Sequence, residues 1–148
     1  MRVLINIDVG DLDGAIKFYQ SALGFTPGRR LGEAGIELLG SSAPIYLLQK
    51  PAGSMAGPVT GERRRYERHW TPVHLDFVVA DVESAVAQAV SAGARLESAL
   101  STHPWGRLAL MADPFGHGFC LVQFLGRGYD EFAAEPVPQT PGRVGSPP

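Results

Sequence analysis

Apolar and polar positions alternate at the start of the chain: Ile5, Ile7 and Val9 are apolar, Asn6 and Asp8 polar. A period of two predicts a strand over residues 3–9, with one face on a core and the other toward a wetter space. The period then lengthens. Leu12, Ala15, Ile16, Tyr19 and Leu23 recur at helical spacing, Asp11 stands where an N-cap belongs, and Gly24 is a stop. Residues 32–35 read as a turn region. Short apolar runs at 35–39 and 44–49, split by Gly40-Ser41-Ser42, predict a pair of strands. A further strand at 26–31 is weakened by Pro27 and Gly28.

Seventy residues on, the pattern recurs. With Asp11 set on Asp81, Val9 falls on Val79, Ala15 on Ala85, Ser21 on Ser91 and Ala22 on Ala92. Ile5, Ile7, Leu12 and Ile16 fall on Leu75, Phe77, Val82 and Val86. A repeat of this length predicts one structural unit used twice. The second copy reads as a strand at 73–79, a helix at 82–92 stopped by Gly93, and strands near 94–100, 106–112 and 118–124. Asp113-Pro-Phe-Gly-His117 supplies turn chemistry between the last two. The predicted fold is α+β: two tandem βαβββ modules forming a curved mixed sheet with a concave trough, helices on the outer face. The expected boundaries are 1–50 for the first module, 51–72 for a linker, 73–126 for the second module and 127–148 for a C-terminal extension, disordered at least from 135. The linker begins with breakers and ends in a basic, aromatic stretch, Arg63 to Trp70. That stretch reads as a lid, a subunit contact or a solvated connector.

Composition narrows the partners. The chain has 148 residues, 45% hydrophobic and 19% charged, with a net charge of −2 and no basic stripe. This suits a soluble globular protein and argues against nucleic acid and anionic membranes. No apolar run approaches the ~20 residues of a membrane helix. The opening residues 1–6 read as too short and too soon polar for a secretion signal, and one cysteine, Cys120, fits the expectation of a reducing cytoplasm.

Alternation also assigns faces. Ile5, Ile7 and Val9 should lie under the first helix, and Leu75, Phe77 and Val79 under the second. Leu4, Asn6 and Asp8, with His74, Asp76 and Val78, then face the trough. Carboxylates and an imidazole there either satisfy one another or orient a ligand or metal. Cys120 is either a trough-facing nucleophile beside His74 or, as free cysteines usually are, a small hydrophobe in a core strand. His103 and Trp105 could rim the trough and stack on a planar ligand, or pack a loop. Arg107 could pair with an acidic ligand, Asp8 or Asp76. His117 sits in a turn expected to point away from the trough.

The double unit, with Ile7-Asp8-Val9-Gly10-Asp11-Leu12-Asp13-Gly14-Ala15-Ile16-Lys17-Phe18-Tyr19, His74-Leu75-Asp76-Phe77-Val78-Val79-Ala80-Asp81-Val82 and Asp113-Pro114-Phe115-Gly116-His117-Gly118-Phe119-Cys120-Leu121-Val122-Gln123, resembles the glyoxalase / bleomycin-resistance / extradiol-dioxygenase (vicinal oxygen chelate) superfamily over about residues 3–125. The resemblance implies ligand positions at the start of the first strand and in the last strand of each unit. Here they hold Leu4, Tyr46, His74 and Cys120. Leu4 has no donor, and Cys120 stands where glutamate is usual. Metal-using members would carry one divalent ion (zinc, nickel, manganese or iron), and the departures point here to none. The leading expectation is therefore a small-molecule binder, its trough lined by Tyr46, His74, Asp76, Trp105 and Cys120. The alternative is a metal-dependent lyase, isomerase or dioxygenase acting on a small carbonyl or vicinal dioxygen compound. It would use His74 as general base or metal ligand, with Asp8 or Asp76 beside it. A bare scaffold is disfavoured by the polar trough. The resemblance also implies a homodimer.

Overall fold

The structure, a computed structural model, describes residues 1–131, so the expected disorder from 135 lies outside the described residues. The first module runs β1 (Ile5–Val9), α1 (Leu12–Leu23), β2 (Thr26–Arg30), β3 (Gly35–Leu39) and β4 (Ile45–Gln49). The second runs β5 (Leu75–Val78), α2 (Val82–Ser91), β6 (Arg95–Leu96), β7 (Ser101–His103), β8 (Gly106–Ala112) and β9 (Gly118–Phe124), with a short 3-10 helix at Gly128–Glu131. The fold is α+β. Its strands form two ladders, β1-β4-β3-β2 and β5-β9-β8-β6, with β7 also on β8. In each, the module's first strand pairs parallel with its last and stands at the edge.

The helix starts follow from their caps. Asp11 accepts from the Gly14 N–H at 3.1 Å and Asp81 from the Ser84 N–H at 2.6 Å, each satisfying a donor the helix cannot. Gly24 then closes α1 in the left-handed region at φ 72°. One core joins the modules: Phe18 meets Phe115, Phe25 meets Phe77, and the Tyr19 hydroxyl donates to buried Asp113 at 2.8 Å.

Three segments differ from the simplest reading of the sequence. β2 forms despite Pro27, because it is a sheet edge with a register shift between Pro27 and Arg30. A side chain at Gly28 would press on Glu37 and Leu39, so glycine fits there. Of the strand expected near 94–100, only β6 forms, and β7 begins just beyond it at Ser101. Leu96 and Leu100 both pack on the core, while between them Glu97 turns out to two hydrogen bonds from Arg68 at 2.8 and 2.9 Å. The segment 51–72 is tied down along its length. Residues 53–64 double back through Gly53 N–H to Arg64 O at 2.8 Å and Ala56 N–H to Glu62 O at 2.8 Å. The Arg64 guanidinium bonds Asp8 at 2.7 Å, and the Tyr66 hydroxyl bonds the Lys50 carbonyl at 2.8 Å. We call residues 62–73 the strap.

The strap lies directly on the β8–β9 turn. At Gly116, φ is 93°, and an added Cβ would sit 2.7 Å from the Tyr66 carbonyl oxygen and 2.8 Å from that of Glu67. Gly116→Ala should therefore destabilise the protein by ~2 kcal/mol or more in urea unfolding. Gly32→Ala, at φ 63° with open space around it, should cost less. Equal losses would mean the strap is not seated on the turn.

Candidate functional site

Register brings three of the expected residues together. Asp76 of β5 lies opposite Cys120 of β9, which lies opposite Leu110 of β8, so all three share the helix-free face. His74, two residues before Asp76, adds its imidazole, with Nε2 3.2 Å from Asp76 Oδ1. One donor atom from each of His74, Asp76 and Cys120 lies within 4.8 Å of the others. Cys120 is buried, while His74 and Asp76 are exposed. The thiol is pushed up to about 12, first by burial and then by the Asp76 carboxylate beside it. In the free protein it is a protonated thiol rather than a nucleophile.

The first module presents a different group on its helix-free face. Asn6, Tyr46 and Glu37 are cross-strand neighbours. Glu37, which sequence reasoning missed, is buried and takes two guanidinium bonds from Arg29 at 2.9 and 2.8 Å. The Tyr46 hydroxyl donates to the same carboxylate at 3.2 Å. Arg29's hydrogen bonds hold Glu37 down to about 2. Asp8 is engaged by Arg64.

The remaining candidates stand elsewhere. Arg107 faces the helix side and pairs with Glu83 at 2.7 Å, not with Asp8 or Asp76, because it sits one residue out of phase with Leu108 and Leu110. His103 stacks on Trp105 with centroids 4.9 Å apart, and Trp105 meets Phe124 and Tyr129 beyond the far end of β9. That aromatic end is separate from the His74–Asp76–Cys120 group. His117 lies on the interior side of its turn, against the strap, with ring centroids 6.5 Å from Tyr66.

A cavity of about 790 Å3 runs along the seam between the β1 and β5 edges, beneath the strap. Ile5, Ile7, Tyr66, Trp70, Phe77 and Phe119 give it apolar walls. Asp8, Arg64, Arg65, His74 and His117 supply its polar points. A smaller space of about 240 Å3 adjoins Trp70, His74, Leu110 and Cys120. The basic, aromatic stretch 63–70 reads equally as a lid, a subunit contact or a connector, and no local sequence signal chooses among them. Its contacts with Asp8 and Lys50 span 56 and 16 positions.

The metal set of the superfamily does not fit. Leu4 offers no donor, and the Tyr46 hydroxyl is already given to a carboxylate that Arg29 holds. The three donors around His74 form a group of their own within one module.

Two measurements check these environments. Cys120 should resist iodoacetamide at pH 8 in the folded protein and react fully in urea. Asp76→Asn should raise the folded-state rate several-fold, with burial still limiting it. Fast alkylation of the folded wild type would contradict the assignment. Because the folded-state value of Glu37 is lowered, its contribution to stability is present above pH 4.5 and lost as pH falls toward 2. Glu37→Gln should therefore flatten the fall in urea midpoint across that window, and an unchanged slope would contradict the pairing.

Residues 4–122 match the family model for a glyoxalase-like domain. The chain is 32% identical over 120 residues to the anthracycline biosynthesis protein DnrV of Streptomyces peucetius, covering 80% of this chain and 39% of that protein. It is 43% identical over 54 residues to an uncharacterized protein of Mycobacterium tuberculosis, covering 36% of this chain and 32% of that one. The chain thus spans about a third to two-fifths of the length of these relatives. Among solved structures, TioX from Micromonospora sp. ML1 superposes with a TM-score of 0.64 at 18% identity, covering 84% of this chain and 99% of that one. A glyoxalase/bleomycin resistance protein/dioxygenase family enzyme from Burkholderia phytofirmans PsJN gives 0.64 at 20%, covering 82% and 97%. Among the described residues, no helix is long and apolar enough to cross a membrane. With the repeat, the two helix-backed sheets and this match, the chain belongs to the glyoxalase-like domain family of the glyoxalase/bleomycin-resistance/dioxygenase superfamily.

Proposed function

We propose that this protein binds a small molecule in the cavity between its two modules. The observation that carries the reading is the cavity itself: about 790 Å3, apolar-walled, with a few polar groups at fixed places. That volume and lining are those of ligand sites, which span roughly 300–1,000 Å3. The strap shields the space, and the Arg64–Asp8 pair at 2.7 Å anchors it to β1. Apolar area would supply most of the affinity, and His74, Arg65 and His117 would orient the ligand. Binding without turnover accords with the incomplete superfamily metal set. DnrV is named for anthracycline biosynthesis, and a polycyclic aromatic ligand accords with walls that include Tyr66, Trp70, Phe77 and Phe119.

A second reading has its own support. An imidazole, a carboxylate and a thiol within 4.8 Å of one another suit a thiophilic divalent ion, which would be held by His74, Asp76 and Cys120. Binding would displace the thiol proton. The ion would supply Lewis acidity beside the cavity, with His74 shared between the two spaces.

The binding reading is tested by screening aromatic compounds for a rise in melting temperature, with Trp105→Phe protein used to follow Trp70 emission. Hits should stabilise the wild type by several degrees. They should lose that effect in Asn6→Trp, which fills the cavity from the exposed edge of β1. Equal stabilisation of the blocked variant would overturn the reading. For the metal reading, cobalt(II) titration should give a thiolate charge-transfer band that Cys120→Ser abolishes. A cobalt complex lacking that band would exclude Cys120 as a ligand.

A further inference from the structure

The polar lining of the cavity is not balanced in charge. Arg63, Arg64, Arg65, His69, His74 and His117 stand against Asp8 and Glu62. Asp8 is neutralised by Arg64 at 2.7 Å. Among the described residues, Arg65 has no ion pair or hydrogen bond. A small molecule entering here meets apolar walls with an excess of cationic groups.

His117 is held by a fully buried carboxylate. Asp113, its side chain fully buried, accepts from the Tyr19 hydroxyl at 2.8 Å and from the Phe115 and His117 N–H groups at 2.8 Å each. The same carboxylate lies 3.0 Å from His117 Nδ1. With Nδ1 committed to Asp113, Nε2 is the ring nitrogen without a hydrogen bond among the described residues, and His117 lines the cavity. A carboxylate that orients one ring nitrogen sets the other to serve a ligand. The charged and titratable groups around His117 are few. Asp113 lies beneath it, with Tyr19 behind on α1. Tyr66 faces it from the strap, and Arg68 lies against Gly118 but is occupied by Glu97. Among the described residues, no carboxylate is hydrogen-bonded to its Nε2.

We propose that the ligand is an apolar molecule bearing one acidic group, and that its anion is seated on the Nε2 side of His117 within the positive field to which Arg65 contributes. This deepens the binding reading above and rests on it. Protonated His117 presents an Nε2–H to the anion, and neutral His117 with Nδ1–H on Asp113 does not, so the anion should bind more tightly to the protonated imidazole. His69 and His74 also line the cavity, so the variants must separate the three.

The test compares two fluorescent probes of similar apolar size, the anion 8-anilinonaphthalene-1-sulfonate and the neutral N-phenyl-1-naphthylamine, at pH 5.5 and 8.5. The anion should bind about tenfold tighter than the neutral probe at pH 5.5 and lose most of that advantage at pH 8.5. The neutral probe should be insensitive to pH. His117→Gln should remove the pH dependence, whereas His69→Gln and His74→Gln should retain it. Arg65→Gln, on the exposed strap, should weaken the anion several-fold at both pH values. Equal binding of the two probes, or a pH dependence that survives His117→Gln, overturns the proposal while leaving the cavity as a site for neutral ligands. If neither probe binds, or if both bind Asn6→Trp protein as well as wild type, the cavity reading falls and this proposal with it.

Discussion

A sheet with a helix on only one face cannot bury its apolar residues alone, and that constraint shapes the whole molecule. Each module has one helix and one ladder. Among the described residues, its edge strand, β1 or β5, has no backbone partner on the outer side. The solution is a shared interior. Phe18, Phe25, Phe77 and Phe115 interlock between modules, and the Tyr19–Asp113 hydrogen bond crosses the same boundary. Burial drives the Tyr19 hydroxyl well above its ordinary value, so it remains a donor to Asp113. The seam that stays open between the two edges becomes the cavity, and the strap covers it.

The same device serves two ends. Asp113 closes the β8–β9 turn, anchors the first module through Tyr19 and orients His117. Arg64 likewise fixes the strap and neutralises Asp8. Groups that hold the fold together thus also decide which polar atoms remain available to a ligand. On the helix-free faces, Leu4, Leu39, Val78 and Leu110 remain exposed around the two polar groups.

The repeat, the alternation and the paired Asp11 and Asp81 caps made the fold readable, because periodicity and capping are local. Alternation also placed His74 and Asp76 on the helix-free face, and parallel pairing of β5 with β9 put Cys120 beside them. What could not be read depends on distant contacts. The Arg64–Asp8 pair, the Arg29–Glu37–Tyr46 group and the docking of the strap on Gly116 carry no periodic signature. Arg107 was expected toward the trough, but one residue of phase sends it to Glu83 instead. His117 was expected to point away from the site. The sequence of its turn names the turn residues but not the segment packed against them, and that segment encloses His117 in the cavity wall.

If the seam between β1 and β5 is where ligands enter, its backbone amides should report them. Amide chemical-shift mapping of the isotopically labelled protein against a set of aromatic acids tests it most directly. Shifts should concentrate at residues 5–8, 62–74 and 116–119. Shifts concentrated instead around His103, Trp105 and Phe124, or scattered over the surface, would contradict it.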